Sequence, residues 1–465
     1  MERIIAQCVS LVVSIILARL LDPTDYSVVS LVTIFFTFGN VLISGGLNSA
    51  LIQKKDADEE DYSSILYFSL AVSVVVYLAL FLAAPYIAKI YKQDILILII
   101  RIMGVTLPIN AVKSIVCAYV SSRLQFRKFF FSTIGGTLFS AVVGIYMAYN
   151  GYGAWALVAQ QMSNAFIDTI ILFASTKMRF VLRVNFNKLK SLLNYSWKIL
   201  ASNLLGTVYS EINPLFIGLR FSTEQLSFYS KGKSFPGLIS TTTNNTLSAV
   251  LFPVMSKFQD DKEKLLSNTR LFIRTTSYLM FPLLMGFFAV ADKFVMVVLT
   301  EKWMNAVPYI RIFCISYMFE MVHTGNCETI KAMGRSDLYL KMEIIKKVCY
   351  FITIGIFMWL SDSPIMLAIS SIVCTFIAIV VNSIPNIKLL GYKVRFQIMD
   401  MLPNFLISLA MGVVVYFIGK LNFPDLSLMI IQVISGGVVY ILLSIATRNR
   451  SFKYLLETIK SYIKR

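Results

Sequence analysis

Long apolar runs dominate this chain, and inside several of them polar side chains recur at helical spacing. Within the stretch 26–52, Ser30, Thr33, Thr37, Asn40, Ser44 and Asn48 fall inside about 80° of a helix circumference at about 100° per residue. About 200 residues later the same face returns as Ser230, Lys233, Gly237, Ser240, Asn244 and Ser248, all polar or glycine. The helix before it carries a second stripe, Arg3, Gln7, Ser10 and Ser14, whose counterparts are Asn203, Thr207, Ser210 and Pro214. Hydroxyls and amides are costly against lipid, so each stripe is expected to face other helices or water. Further along, after a longer loop shifts the register, Ile100-Arg101-Ile102 meets Ile310-Arg311-Ile312. Two matched stripes and a matched tripeptide read as an internal duplication.

A hydrocarbon core about 30 Å thick takes roughly 20 helical residues per crossing, and on that rule the chain has about 14 crossings. They group into an N-terminal six-helix lobe over 1–176, a basic cytoplasmic linker over 177–195, and a C-terminal six-helix lobe over 196–390. Two extra helices and a basic cytoplasmic tail fill 391–465. Six is even, so both lobes enter the membrane from the same side. The expected fold is an all-α integral membrane protein with two parallel-repeat lobes around a central cavity.

Composition agrees: 57% of residues are hydrophobic and only 15% charged, against roughly 25% charged in soluble chains. The net charge of +18 would suit nucleic acid, but its placement argues otherwise. About 28 lysines and arginines lie in the segments on the N-terminal side of the membrane and about 8 on the other, a positive-inside bias that puts both termini in the cytoplasm. The basic excess therefore reports topology and an anionic inner leaflet, not nucleic acid. Met1-Glu2-Arg3 and the apolar run behind it imitate a signal peptide, yet Leu17-Ala18-Arg19-Leu20-Leu21 offers no small-x-small cleavage site, so the run is kept as the first helix. The six cysteines fall inside expected helices without a CxxC pair and imply neither zinc nor a disulfide framework. No cofactor is implied.

Several motifs carry a family resemblance. The stretch Ile16-Leu17-Ala18-Arg19-Leu20-Leu21-Asp22-Pro23-Thr24-Asp25-Tyr26 resembles the opening signature of bacterial oligosaccharide flippases. These are the Wzx-like polysaccharide transporter branch of the multidrug/oligosaccharidyl-lipid/polysaccharide (MOP) exporter superfamily. Ala50-Leu51-Ile52-Gln53-Lys54-Lys55-Asp56, Gly151-Tyr152-Gly153-Ala154-Trp155, Phe252-Pro253-Val254-Met255 and Gly334-Arg335-Ser336-Asp337 extend the resemblance over nearly the whole chain. Members usually have glycine where this chain has Ser27, and a short segment before the position of Glu2-Arg3. The resemblance implies alternating access by two lobes that move an undecaprenyl pyrophosphate-linked oligosaccharide across the bacterial cytoplasmic membrane. It also implies that the first two helices of each lobe line the cleft. Expected partners are that lipid-linked oligosaccharide, membrane lipids and the polysaccharide polymerase machinery.

Such a substrate needs cations for its phosphates and an amide- and hydroxyl-rich wall for its sugars. Arg3, Lys231 and Lys233 are the phosphate candidates. For sugar hydroxyls the candidates are Gln7, Asn40, Asn48, Asn203, Asn244 and Asn245, with interhelical hydrogen bonding as their structural alternative. Glu211, Glu320, His323 and Glu328 lie at membrane depth and could couple transport to an ion gradient. Their alternative is internal ion pairing, for instance Glu328 with Lys331. Gly232-Lys233-Ser234 imitates the end of a P-loop, but Ser227 stands where the pattern needs glycine, so no ATPase motif results. No catalytic residue or metal site is expected. Two rivals are a cation-coupled exporter of the same fold, which should have a more aromatic and acidic cavity, and a membrane polymerase or ligase, which should have a long external loop.

Overall fold

The computed structural model describes the backbone of residues 2–54, 57–176, 178, 180–181, 185–256, 258 and 261–463, and their side chains apart from 2–6, 8, 195, 245–254, 256, 336, 458–459 and 461–463. All regular structure among them is helical. Contacts divide the chain into two compact units, Met1–Ser227 and Phe228–Arg465.

The first unit holds α1 (Glu2–Leu20), α2 (Pro23–Ser44), α3 (Leu47–Gln53), α4 (Glu59–Tyr91), α5 (Ile95–Met103), α6 (Thr106–Ser122), α7 (Arg127–Tyr149), α8 (Ala154–Ala174) and α9 (Phe186–Arg220). Local chemistry sets the starts. Pro23 opens α2, and the Asp25 carboxylate accepts the Asp22 N–H at 3.1 Å. Asp58 and Asp61 form a reciprocal capping box on α4, at 2.9 and 3.2 Å. Asn185 caps α9 by accepting the N–H groups of Asn187 and Lys188, so this helix begins well before the expected Ser196. Lys188 reaches from α9 to Asp58 and Glu60, both at 2.6 Å. Its hydrogen bond holds the Asp58 carboxyl down to about 2. Helices α7 and α8 pack together through small residues at every fourth position of α7. A Cβ on Gly136 would stand 2.8 Å from Asp168, and one on Gly144 2.8 Å from Gln160. Asp168, which looks solitary in sequence, pairs with Lys113 of α6 at 2.6 Å.

The second unit contains most of α10 (Thr223–Ser256), then α11 (Lys262–Phe294), a π turn at Val295–Leu299 and a 3-10 turn at Glu301–Ala306. It continues through α12 (Val307–Met318), α13 (Glu320–Ala332), α14 (Ser336–Leu360), α15 (Pro364–Leu390), α16 (Val394–Ile418), α17 (Asp425–Ala446) and α18 (Arg450–Ile463). Nine described helical segments are long and apolar enough to cross a membrane, and the chain is a multi-pass membrane protein. The other expected crossings coincide with α1, α9, α10, α12–α13 and α14. These helices are less uniformly apolar, partly because α1, α9 and α10 carry the polar stripes.

Three expected crossings are broken. The helix over 26–52 stops at Gly45-Gly46, where Gly46 has φ +123° and a Cβ would lie 2.5 Å from the Ser196 carbonyl oxygen of α9. That backbone approach and that φ both require glycine. Between α5 and α6, a Cβ on Gly104 would collide with the Tyr77 ring. The α12–α13 break has neither glycine nor proline. Phe319 occupies it, its ring 5.2 to 5.9 Å from those of Phe376, Phe281 and Phe405. The two Ile-Arg-Ile repeats thus both lie in half-helices that end shortly afterwards.

Candidate substrate site

On α2 the polar stripe lines two cavities. Thr33, Thr37 and Asn40 line a recess of about 140 Å³ with Thr106, Asn110 and Gln161 from α6 and α8. Ser44 and Asn48 line a larger cleft of about 490 Å³, whose opposite wall is Asn203, Thr207 and Ser210 of the α9 stripe together with Ser202. Two stripes identified separately in the sequence therefore meet across one cavity. Its size lies in the range of small-molecule sites. Gly206 forms part of the floor, and a Cβ there would touch nothing within 4 Å.

Hydrogen bonding separates fixed from available groups. Asn40 accepts from Asn110 at 3.1 Å and Asn48 from Ser114 at 3.3 Å, so both amides tie α2–α3 to α6. The hydroxyls of Thr33, Thr37 and Ser44 bond back to carbonyls one turn earlier at 2.7 to 2.9 Å. Such bonds satisfy a hydroxyl inside a membrane helix while leaving its oxygen able to accept. Asn203 is exposed at the cleft, Glu211 adjoins it through Ser210 at 3.3 Å, and Gln7 is exposed on α1. The side chain of Arg3 lies outside the described residues.

In the second unit the α10 stripe is drawn toward α13. Asn244 donates to Ser240 at 3.2 Å, and Ser240 donates to Glu320 at 2.5 Å. Lys233, two turns along the same face, interacts electrostatically with Glu320. Lys231 points elsewhere: it is buried, its ammonium 5.6 Å from the Trp303 ring centre. The side chain of Asn245 lies outside the described residues.

The remaining ion-coupling candidates do not gather in one place. Glu328 pairs with Lys331 at 3.0 Å, the i, i+3 pairing expected from sequence. His323 Nε2 lies 2.9 Å from Lys346 Nζ, and that ammonium is 2.5 Å from Glu343. His323, Cys327 and Glu343 present ligand atoms within 4.8 Å of one another. Lys346 already supplies a positive charge there. The duplicated arginines pair inside their own units: Arg311 with Asp292 at 2.6 Å, and Arg101 over the Phe81 ring at 4.2 Å.

Comparison with known proteins now decides the family. A family model described as polysaccharide biosynthesis protein matches residues 16–308, well over half of the chain. The chain belongs to this polysaccharide biosynthesis protein family. A Klebsiella pneumoniae relative described as an uncharacterized membrane protein in the cps region is 24% identical over 451 residues, 94% of this chain and 91% of its own. The Bacillus subtilis teichuronic acid biosynthesis protein TuaB is 22% identical, covering 90% of this chain and 88% of its own. Among solved structures, the lipid II flippase MurJ in an inward closed conformation superposes with a TM-score of 0.77 at 15% identity, over 96% of this chain and 98% of that one. At that identity the likeness shows the fold alone: this chain folds as that structure does.

Within this family member, stripe periodicity missed several residues of the cavities. Asn110 and Ser114 of α6, Gln161 of α8 and Ser202 and Gly206 of α9 contribute to the polar lining or to its bracing. Asn110 and Ser114 are one helical turn apart, a short signal that a search for polar i, i+4 pairs would have caught.

Proposed function

We propose that this protein is a flippase for an oligosaccharide repeat unit linked to undecaprenyl pyrophosphate, working in the bacterial cytoplasmic membrane with both termini in the cytoplasm. The observation that carries this reading is the cleft of about 490 Å³ walled by the stripes of α2–α3 and α9, in a chain whose family is polysaccharide biosynthesis. Apart from Val41, its lining is amide, hydroxyl and glycine. Such groups can replace the hydration shell of sugar hydroxyls, and they offer little to a hydrophobic cation.

In this reading about 14 helices cross the bilayer, and two six-helix lobes, 1–176 and 196–390, rock about a central cavity. Asn40, Asn48, Asn203, Asn244 and Asn245, with Gln7, meet sugar hydroxyls, while Arg3 and Lys233 meet the pyrophosphate; Lys231, expected from sequence to join them, is buried against Trp303 and is set aside. The polyprenyl tail stays in lipid throughout. The step needs no covalent chemistry and no nucleotide; an ion gradient or the membrane potential drives it, with Glu211, Glu320, His323 and Glu328 as the groups that sense it.

The test is reconstitution of the purified protein in liposomes with a panel of lipid-linked glycans, scoring appearance in the outer leaflet with and without a proton or sodium gradient. Gradient-dependent movement of at least one glycan is expected. Movement of none, combined with export of small cationic dyes, would assign the fold to drug export instead.

A further inference from the structure

Another polar cavity lies far along the chain from the recess and cleft of the first unit. It has a volume of about 480 Å³ and sits between α11, the start of α16 and the α17–α18 turn. Four of its lining residues are arginines, Arg270, Arg274, Arg448 and Arg450, and one is a carboxylate, Asp400.

Asp400 is fully engaged. Arg270 donates Nε and Nη2 to it at 2.8 and 2.9 Å. Arg274 donates Nε at 2.7 Å together with its own Nη2, and the Tyr392 hydroxyl adds a bond at 2.9 Å. Each guanidinium has five N–H donors. Both arginines therefore keep Nη1 without an acceptor among the described residues. Arg448 and Arg450 are exposed and have no carboxylate partner among the described residues. One carboxylate facing four guanidiniums leaves an excess of positive charge pointed into a concave space.

The turn bearing the outer arginines is held in place. Asn449 is buried and accepts the N–H groups of Ser451 and Phe452 at 2.8 and 3.2 Å, capping α18. Its amide donates to Asn404 at 2.8 Å, and Asn404 in turn donates to the Arg274 carbonyl at 2.9 Å. Arg448 has φ 50°, a left-handed conformation that this clamp maintains. The pocket also has an apolar side. Phe396, Met399 and Pro403 line it, and beyond them Leu402 and Leu406 continue as an exposed apolar face of the membrane helix α16.

We infer that this cavity binds the headgroup of an anionic phospholipid from the surrounding bilayer, with its phosphate among the four arginines and its acyl chains along α16. Free phosphate would satisfy the arginines but would leave the apolar wall unused. A zwitterionic lipid would bring a compensating cation into a site that already has an excess of them. The assignment rests on the protein being a membrane protein and does not require the flippase reading.

The experiment is native mass spectrometry of the full-length protein in detergent, titrated with phosphatidylglycerol or phosphatidylcholine, for the wild type and for Arg448→Ala/Arg450→Ala. Those two side chains make no contact that holds the fold among the described residues. We expect phosphatidylglycerol to bind in preference and the double variant to weaken it about tenfold or more. Arg123→Ala/Arg127→Ala, which removes two basic residues from the first unit, serves as the control for general surface charge and should bind as the wild type does. Equal binding of the two lipids, an unaffected double variant, or an equal loss in the control pair would overturn the assignment. Displacement of the lipid by millimolar inorganic phosphate would also overturn it, in favour of a soluble anion.

Discussion

Ser240 on α10 donates its hydroxyl to Glu320, the first residue of α13, at 2.5 Å. This bond joins the α10 polar stripe to the break at Phe319, so a half-buried carboxylate is held by a stripe hydroxyl.

Glu320→Gln should keep the acceptor oxygen and lose the charge. Its expected effect is a weaker dependence of transport on a proton or sodium gradient with folded protein unchanged. Glu320→Ala should instead lower stability, by about 2 kcal/mol, because Ser240 loses a bond to a charged partner. Gradient-dependent flux and thermal unfolding measured side by side separate the two effects. An unaltered gradient response in Glu320→Gln would return this carboxylate to a purely structural role.

Gly206 faces open space in the cleft, so a larger side chain there fills the cavity without meeting backbone. Gly206→Leu should reduce transport of the lipid-linked glycan by about tenfold or more, whereas Gly206→Ala should be tolerated. Both should accumulate to wild-type levels in the membrane. If the leucine variant transports normally, the substrate does not use this cleft.

Gly46 poses the opposite case. Its φ is +123°, and the Ser196 carbonyl oxygen lies 2.5 Å from the point a Cβ would occupy, so Gly46→Ala should cost about 1–3 kcal/mol. The loss should be visible as a lower unfolding temperature in detergent. Gly334→Ala is the comparison, since φ there is +70° and nothing stands within 4 Å; it should cost less. Equal losses would mean that the approach of α9 to the α2–α3 break adds no constraint.

The Lys188 to Asp58 pair gives a pH prediction. The Asp58 carboxyl is held at about 2, below its ordinary value of about 4. Its stabilising contribution is therefore complete above pH about 4 and is lost as pH falls toward 2. Other carboxylates titrate over the same range, so the useful quantity is a difference. Between pH 6 and 3 the unfolding temperature of the wild type should fall more steeply than that of Lys188→Gln. Parallel curves would show that the pair, which is largely exposed, contributes nothing measurable.

Much of this architecture was legible in the sequence because membrane insertion acts on composition over about 20 residues at a time. Most of the helices and the polar faces of α2, α9 and α10 follow from runs and from 3.6-residue periodicity, although α9 begins well before the expected Ser196 and three expected crossings are broken. So does the pairing of Glu328 with Lys331, since both partners sit on one helix. The family motifs added the class of transporter.

What the sequence alone could not decide was partnership across helices. Asn40 and Asn48 look identical in kind to Asn203, yet α6 holds the first two and leaves the third exposed at the cleft. Lys231 and Lys233 are two residues apart, but one lies beneath Trp303 and the other acts on Glu320. Asp168 and Lys113, or Asp400 and its two arginines, become pairs only when helices far apart in sequence pack side by side. Periodicity tells which way a side chain points around its own axis. Only packing tells what stands opposite, and at membrane depth that partner determines whether a polar group braces the fold or stays available to a substrate.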